Sequence, residues 1–399
     1  MLERNAVQIT AANLIYTHKR ILLEFATGVG KSKAFIMMQE NIKNSKVLIV
    51  ISERLHKSNW VAEYIKHDKK DLLANVTFTC YSSLHKYINK AYDIVCLDEV
   101  HRVTPKRLEY LQQIKYGYIV GLSATIGYKI NDLLKTYFGE FFKYRLSLNT
   151  AIENKIVPEP IFYLHKLDIQ DTKATEVLSI KRGKAPYTRE VTCAYKDYKK
   201  QLAWPKFENN TIIRVVCTQK QKLEYYDSQI EYYKYLVRGL SNKWYSFKLN
   251  RLGLDRKNYL ASLKTSHVEK FLKGFDKRYI CFCNDINQIN TLGDIECSAH
   301  SKKSSNELVV ENFNNGTIDK LFVVKMLQEG QNLNNIEASV IVQLDSTSRS
   351  MVQKSGRALR AVDTPEIHIF YIAGTSDETY LNNSMSDINK EFIKVYNEP

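Results

Sequence analysis

Residues 21–32 read Ile21-Leu22-Leu23-Glu24-Phe25-Ala26-Thr27-Gly28-Val29-Gly30-Lys31-Ser32. An apolar run enters a turn with two glycines, and Lys-Ser opens a helical stretch. Backbone N–H groups of such a turn, backed by the positive end of the helix, hold phosphate oxygens. In that reading Thr27, Gly28, Val29 and Gly30 line a phosphate cradle. Lys31 neutralises the outer phosphates, and Ser32 offers its hydroxyl to Mg²⁺. The strict GxxxxGK[ST] pattern asks for glycine at position 25, where this chain has Phe25.

Working outward, residues 1–150 alternate short apolar runs with helical stretches. Candidate strands are 21–25, 47–52, 76–80, 93–98 and 118–123, which implies a parallel sheet with helices on both faces. Ligands of such sheets bind at the carboxyl ends of strands. Val157-Pro158-Glu159-Pro160 interrupts the pattern and marks a boundary near residue 150. Alternation resumes with candidate strands 279–284, 321–325, 339–344 and 366–372. We therefore expect an α/β chain of two parallel-sheet domains, 1–150 and 151–399. The second carries a basic, partly helical elaboration at about 165–275. Within it Leu223, Tyr226, Ile230, Tyr233, Val237 and Leu240 recur at helical spacing, a stripe read as packing.

Three further motifs carry chemistry. Asp98-Glu99-Val100-His101 ends a strand, where Asp98 can hold Mg²⁺ opposite Ser32 and Glu99 can activate water. Ser123-Ala124-Thr125 ends the next strand. Gln353-Lys354-Ser355-Gly356-Arg357-Ala358-Leu359-Arg360 places two arginines three apart, on one helix face. Brought from another domain, such arginines stabilise charge on a transferred phosphoryl group, an effect of roughly 10³–10⁵ in rate.

The net charge is +15 over 399 residues, and its distribution is uneven. Residues 181–280 hold 23 Lys+Arg against 9 Asp+Glu, while the rest of the chain holds 35 against 34. A concentrated basic segment is the footprint of a polyanion. Eleven tyrosines with Trp204 and Trp244 lie in the same segment, and rings among cations suit stacking on unpaired bases. Lys181, Arg182, Lys184 and Trp244 are the candidate contacts. Seven cysteines without a CxxC pair fit free thiols in a reducing compartment. No stretch reaches the roughly 20 apolar residues of a membrane span, and no signal peptide opens the chain. The expectation is an intracellular protein without a membrane partner. Richness in Lys, Asn, Ile and Tyr suggests an AT-rich genome, such as a phage's.

Taken in order, these motifs resemble those of the superfamily 2 helicases and translocases. Lys31 and Ser32 match motif I, Asp98–His101 a DEVH form of motif II, Ser123–Thr125 motif III, and Gln353–Arg360 the QxxGRxxR of motif VI. Ser52-Glu53-Arg54-Leu55 with Trp60 looks like motif Ia, and Thr79–Leu84 like the TxxSL motif. Cys281–Asp285 looks like motif IV. Leu327–Asn332 looks like motif V, with Asn332 in place of a frequent Asp. The resemblance covers roughly residues 4–375 and is weakest over 165–275.

What the resemblance implies is two RecA-like lobes with ATP and Mg²⁺ between them and nucleic acid across their top. Gln8 would read the adenine edge, with Arg4 one helical turn before it. Arg54, Trp60 and Ser82 would grip nucleic acid. His101, Ser123, Thr125, Gly330 and Asn332 would couple nucleotide state to that grip. Gln353, Arg357 and Arg360 would complete the catalytic set with Lys31, Asp98 and Glu99. The neighbourhood of Glu24–Ser32 and the single Gln8 look like the restriction-subunit, excision-repair and phage branch-migration enzymes, which favours DNA over RNA. The expectation is an ATP-dependent DNA helicase or translocase, a monomer open to protein partners. An RNA helicase, or the motor subunit of a larger restriction or repair complex, is the alternative.

Overall fold

The computed structural model of the chain describes residues 3–42, 44–54, 56–183, 185–203, 210–240, 242–293, 295–300, 306–324, 333, 335–345, 364–386 and 388–397. Lys184, Gly330, Asn332, Gln353, Arg357 and Arg360 lie outside the described residues.

Strands β1 (Arg20–Phe25), β2 (Val47–Ile51), β3 (Val76–Cys80), β4 (Ala91–Asp98), β5 (Lys115–Ser123) and β6 (Phe142–Leu146) form one sheet in the order β3-β2-β4-β5-β1-β6. Every pairing in it is parallel. Helices α1 (Arg4–His18), α2 (Lys31–Asn41), α3 (His56–Lys66), α4 (Pro105–Gln112), α5 (Tyr128–Phe138) and α6 (Leu148–Glu153) alternate with the strands. All five residues of β2 are buried, as a strand covered on both faces requires. Successive residues serve opposite faces. Ile21, Leu23 and Phe25 join Val7, Ala11, Phe35 and Trp60 in one core, while Leu22 joins Leu48, Val95, Leu108 and Leu134 in the other. Each such side chain contributes about 1.5–3 kcal/mol by leaving water.

β7 (Ile161–Leu167) leads into a small separate sheet. β8 (Glu176–Gly183), β9 (Arg189–Ala194) and β10 (Asn210–Cys217) are ordered β8-β10-β9, with β10 antiparallel to β8 and parallel to β9. After the short α7 (Tyr198–Ala203) come two long helices, α8 (Gln219–Gly239) and α9 (Lys243–Lys273). The basic elaboration is therefore a three-stranded sheet followed by a helical hairpin. The stripe read as packing on α8 is buried at Leu223 and Ile230 and half-buried at Tyr226, Tyr233 and Val237, while Leu240, just past the helix, is exposed.

The second large sheet is also wholly parallel. β11 (Tyr279–Phe282), β12 (Ser298–Ala299), β13 (Lys320–Val323), β14 (Ala338–Ile341), β15 (Glu366–Ile372) and β16 (Ile393–Asn397) join β7 in the order β12-β13-β11-β14-β15-β7-β16. Helices α10 (Ile286–Leu292), α11 (Asn306–Asn314) and Ser376–Met385 accompany it. Cys281 lies in β11 and Cys283 just beyond, both buried in the core.

Candidate active site

Register brings the site together. Leu23 of β1 and Asp98 of β4 both pair with Leu122 of β5, and Glu24 pairs with Ser123. Three strands therefore end flush, with β5 in the middle. At about 4.8 Å between strands, the loop after β1 and the acid at the end of β4 stand about 10 Å apart, a distance a phosphate chain with its metal can bridge. The segments Gly28–Ser32, Asp98–Glu99 and Ser123–Thr125 all leave the same edge of the sheet.

The loop itself is shaped for an anion. Gly28 (φ 92°) and Gly30 (φ 102°) both take the left-handed backbone. A Cβ built on Gly30 would lie 2.2 Å from Gln8 Nε2, so a side chain there would strain the backbone and push Gln8 aside. No side chain caps the start of α2, which leaves its first N–H groups pointing into the loop. Lys31 Nζ donates to the Phe25 carbonyl at 2.9 Å. The Phe25 ring is buried against Tyr144, with centroids 5.2 Å apart. As the last residue of β1, Phe25 needs no glycine conformation.

Gln8 lies beneath the loop and is 2% exposed. Its Nε2 donates to the Val29 carbonyl at 2.7 Å, while its Oε1 is buried without a hydrogen-bond partner among the described residues. Arg4, one turn earlier, gives Nε to the Ile156 carbonyl at 2.9 Å, tying α1 to the segment after α6.

The acid pair is tightly held. Trp60 Nε1 donates to Asp98 Oδ2 at 2.9 Å, and the Tyr81 hydroxyl donates to the Asp98 carbonyl at 2.9 Å. Desolvation at the foot of the crevice, with the charge of Glu99 second, pushes the Asp98 carboxyl up to about 6; the bond from Trp60 pulls the other way. Glu99 has φ 49° and ψ 57°, a left-handed conformation that costs a non-glycine residue of order 1–3 kcal/mol and that clusters at functional sites. Glu99 Oε2 is 3.2 Å from His101 Nδ1, which in turn is 3.1 Å from Ser123 Oγ. Ser123 Oγ donates to the Thr125 carbonyl at 3.0 Å and accepts from the Thr125 N–H at 3.3 Å. Glu99, His101, Ser123 and Thr125 thus form one connected chain of polar contacts. Ser32 Oγ donates to Glu63 Oε2 at 3.4 Å.

Sequence reasoning missed Trp60, Tyr81 and Glu63 as parts of this site. Trp60 requires a correction. Expected at a nucleic-acid surface, it is 4% exposed and packs edge-on against Phe35 at 5.7 Å. A buried indole cannot reach a strand passing over the surface, and its N–H is given to Asp98. Nothing in the spacing of residues 60 and 98 signals that pairing. Arg54 and Ser82 are exposed just past the ends of β2 and β3, on the loop-bearing edge. Lys181 and Arg182 end β8, with Lys181 Nζ 5.5 Å from the Tyr187 ring. Trp244 lies on α9 and is 51% exposed.

Two family models match the chain. Residues 2–127 match the model described as type III restriction enzyme, res subunit, and residues 263–362 match the helicase conserved C-terminal domain. A search of curated proteins gives no match. Among solved structures, Dbp5 of S. cerevisiae bound to RNA and ADP BeF3 aligns with a TM-score of 0.57 at 11% identity, covering 100% of this chain and 94% of that one. The ATP-dependent Type ISP restriction-modification enzyme LlaBIII bound to DNA aligns at 0.53 and 14% identity, covering 100% of this chain and 31% of that one. The Hef helicase domain of Pyrococcus furiosus gives 0.48 at 13% identity over 96% and 99% of the two chains. The two parallel sheets are thus RecA-like, the architecture of helicase cores.

Proposed function

We propose, from the premise that this chain belongs to the superfamily 2 helicases, that it is an ATPase stimulated by DNA, using each turnover to move along or remodel the strand it holds. Nucleic-acid-directed ATP hydrolysis is the common ground of the family. DNA, Mg²⁺ and the role of each residue are our reading. The observation that carries it is the flush ending of β1, β4 and β5, which gathers a phosphate loop, an acid pair and a polar relay into one crevice.

The residues present fit the nucleotide and its metal. Gly28 and Gly30 take the left-handed backbone of an anion-binding turn, and Gln8 Oε1, buried and without a partner among the described residues, can accept from an adenine amino group. Ser32 and Asp98 are hard oxygen donors of the kind Mg²⁺ takes. When bound, Mg²⁺ supplies charge neutralisation at the reacting phosphates. Lys31 exchanges the Phe25 carbonyl for a phosphate oxygen. Trp60 holds the Asp98 carboxylate in one orientation. Glu99 orients or deprotonates the attacking water. His101 Nδ1 lies within reach of both Glu99 and Ser123 and can serve one of them at a time, so a shift of Ser123 and Thr125 is felt at Glu99. In this reading Gly330 and Asn332 would join that coupling, and Gln353, Arg357 and Arg360 would supply charge to the transferred phosphoryl group, as the family resemblance implies.

DNA is favoured by the loop neighbourhood and the single Gln8. The relatives bind either kind, since LlaBIII is bound to DNA and Dbp5 to RNA. The deciding experiment is ATPase rate against single-stranded, duplex, forked and four-way DNA with matched RNAs, repeated across salt concentrations. Stimulation by DNA that Lys31→Ala abolishes is expected. A Lys31→Ala chain that retains stimulated turnover would overturn the site, and stimulation by RNA alone would overturn the substrate. One further observation favours a subunit role. The chain aligns along its whole length with 31% of LlaBIII. Co-purification with a nuclease or methyltransferase partner from a native source would support that second reading.

A further inference from the structure

The α8–α9 hairpin leaves the body of the protein. The buried residues of α8 are Leu223 and Ile230, and those of α9 begin at Tyr259. At 1.5 Å per residue, the part beyond them is an arm about 15–25 Å long. Its end is unusually rich in exposed rings. Tyr235 is 75% exposed, Phe247 66%, Tyr232 54% and Trp244 51%. Tyr233 meets two of them edge-on, Tyr232 and Trp244, with centroids 5.3 and 6.0 Å apart. Asn242 Oδ1 accepts the Trp244 N–H at 2.9 Å and fixes that residue in the first turn of α9.

Residues 232–254 contain Lys234, Arg238, Lys243, Lys248 and Arg251 and no Asp or Glu; Lys234 and Arg251 pair with Glu231 and Asp255 at the two borders, which leaves the tip a net positive charge from Arg238, Lys243 and Lys248. Lys248 Nζ stands 5.4 Å from the Trp244 ring. The α9 N-terminus, itself the positive end of a helix dipole, carries Lys243 and no acid in its first turn. A protein-docking patch of this size would be depleted of lysine at its centre. A second copy of the same tip would meet it with like charge. Cations set among exposed ring faces match a strand that offers phosphates and unpaired bases together.

We propose that the tip of the α8–α9 arm is a stacking platform for the unpaired bases of a nucleic-acid strand, with Trp244 and Phe247 as its rings and Lys243 and Lys248 on the backbone phosphates. This rests on the motor reading above and adds a second contact to it, remote from the ATP crevice. The base of the arm is fixed to the second large sheet. Lys264 and Asp377 form a fully buried pair at 2.6 Å, and Lys257 meets Asp345 at 2.5 Å. The strand is therefore held by an element that moves with the second lobe.

The test uses the full chain with Trp244→Ala/Phe247→Ala, Trp244→Phe and Lys243→Glu/Lys248→Glu. Probes are a single-stranded oligonucleotide carrying 2-aminopurine and a blunt duplex of equal length. Lys243, Trp244 and Phe247 are exposed and Lys248 is half-buried, so small changes in thermal midpoint are expected and are measured first. The ring variant should bind the single strand about 5- to 100-fold more weakly and lose the 2-aminopurine quench, with duplex affinity unchanged. Trp244→Phe should restore most of both signals. The lysine variant should reduce the salt slope of single-strand binding by roughly 1.4. Equal single-strand affinity and quench in wild type and ring variant would overturn the proposal. So would a loss confined to the lysine variant, or loss of a protein partner with nucleic-acid binding intact. Failure of the motor reading looks different: wild-type turnover that no nucleic acid stimulates, with the binding measurements still readable.

Discussion

Trp60→Phe isolates one hydrogen bond in the ATP crevice. The indole N–H lies 2.9 Å from Asp98 Oδ2, and phenylalanine keeps most of the ring while removing the donor. Hydrogen bonds to charged groups contribute about 1.5–3 kcal/mol. Water can replace part of this bond once the crevice has room, so the lower figure applies, equivalent to about tenfold. It should appear in the metal requirement, because a carboxylate with no fixed orientation grips Mg²⁺ less well. We expect half-maximal ATPase at about tenfold higher Mg²⁺, with the rate largely recovered at saturation. The smaller ring also loses contact with Phe35 and Tyr64, so a drop in thermal midpoint is expected as well. The two effects separate cleanly, since a misfolded fraction does not regain activity when metal is added. ATPase is measured across a Mg²⁺ titration at saturating DNA, beside a melting curve. A folded Trp60→Phe chain with the wild-type Mg²⁺ requirement would refute the positioning role.

Glu99→Gln should keep nucleotide binding and lose hydrolysis by about 10²–10⁴, as removal of a general base does; fluorescent-nucleotide binding and phosphate release measure the two. Gly30→Ala should cost about 1–2 kcal/mol from the left-handed backbone alone and weaken nucleotide binding further, because the new Cβ falls on Gln8 Nε2. In a Gln8→Ala background Gly30→Ala should weaken binding less than it does in the wild-type chain, and an equal loss in both backgrounds would show that Gln8 is not the obstruction. Stability should fall on acidification. Burial, against the bond to Glu366, holds His368 below its ordinary value, so the unfolded chain takes up its proton first, and stability declines as pH drops below about 6.5. Glu366 is held at about 2, by the hydrogen bond to His368 first and then by Lys277, so its contribution is complete above the usual carboxylate range and is lost as pH approaches 2. Thermal midpoints between pH 8 and 2 test both, and His368→Phe should flatten the upper part of the profile.

The legible parts of the sequence are those where one local pattern suffices. β1, β2, β4 and β5 were readable because strands buried on both faces become apolar runs, β3 because this edge strand is β-branched and uncharged, and the loop after β1 because glycine, lysine and serine each have a separate duty there. β6 and β16 escaped because they are edge strands: Phe142-Lys143-Tyr144-Arg145-Leu146 and Ile393-Lys394-Val395-Tyr396-Asn397 carry charges where an inner strand would not. β7 was hidden by His165 and Lys166, the first of which is buried against His368 at 3.0 Å. The site was readable where a motif carries it and opaque where distant residues meet. Asp98 announces itself, but its partners Trp60 and Tyr81 come from other elements. The exposed rings of the arm were counted from composition. Only the fold distinguishes Tyr259, in the core, from Tyr235, in water.

α9 is a single 31-residue rod. Trp244 and Lys264 are twenty residues apart on it, about 30 Å along the axis. A tilt of about ten degrees at the buried Lys264–Asp377 anchor therefore sweeps the aromatic end by roughly 5 Å, comparable with the spacing of successive nucleotides in a stretched strand. Small rotations beneath the anchor are geared up into strides at the far end, and tension on that end is returned to the sheet as torque.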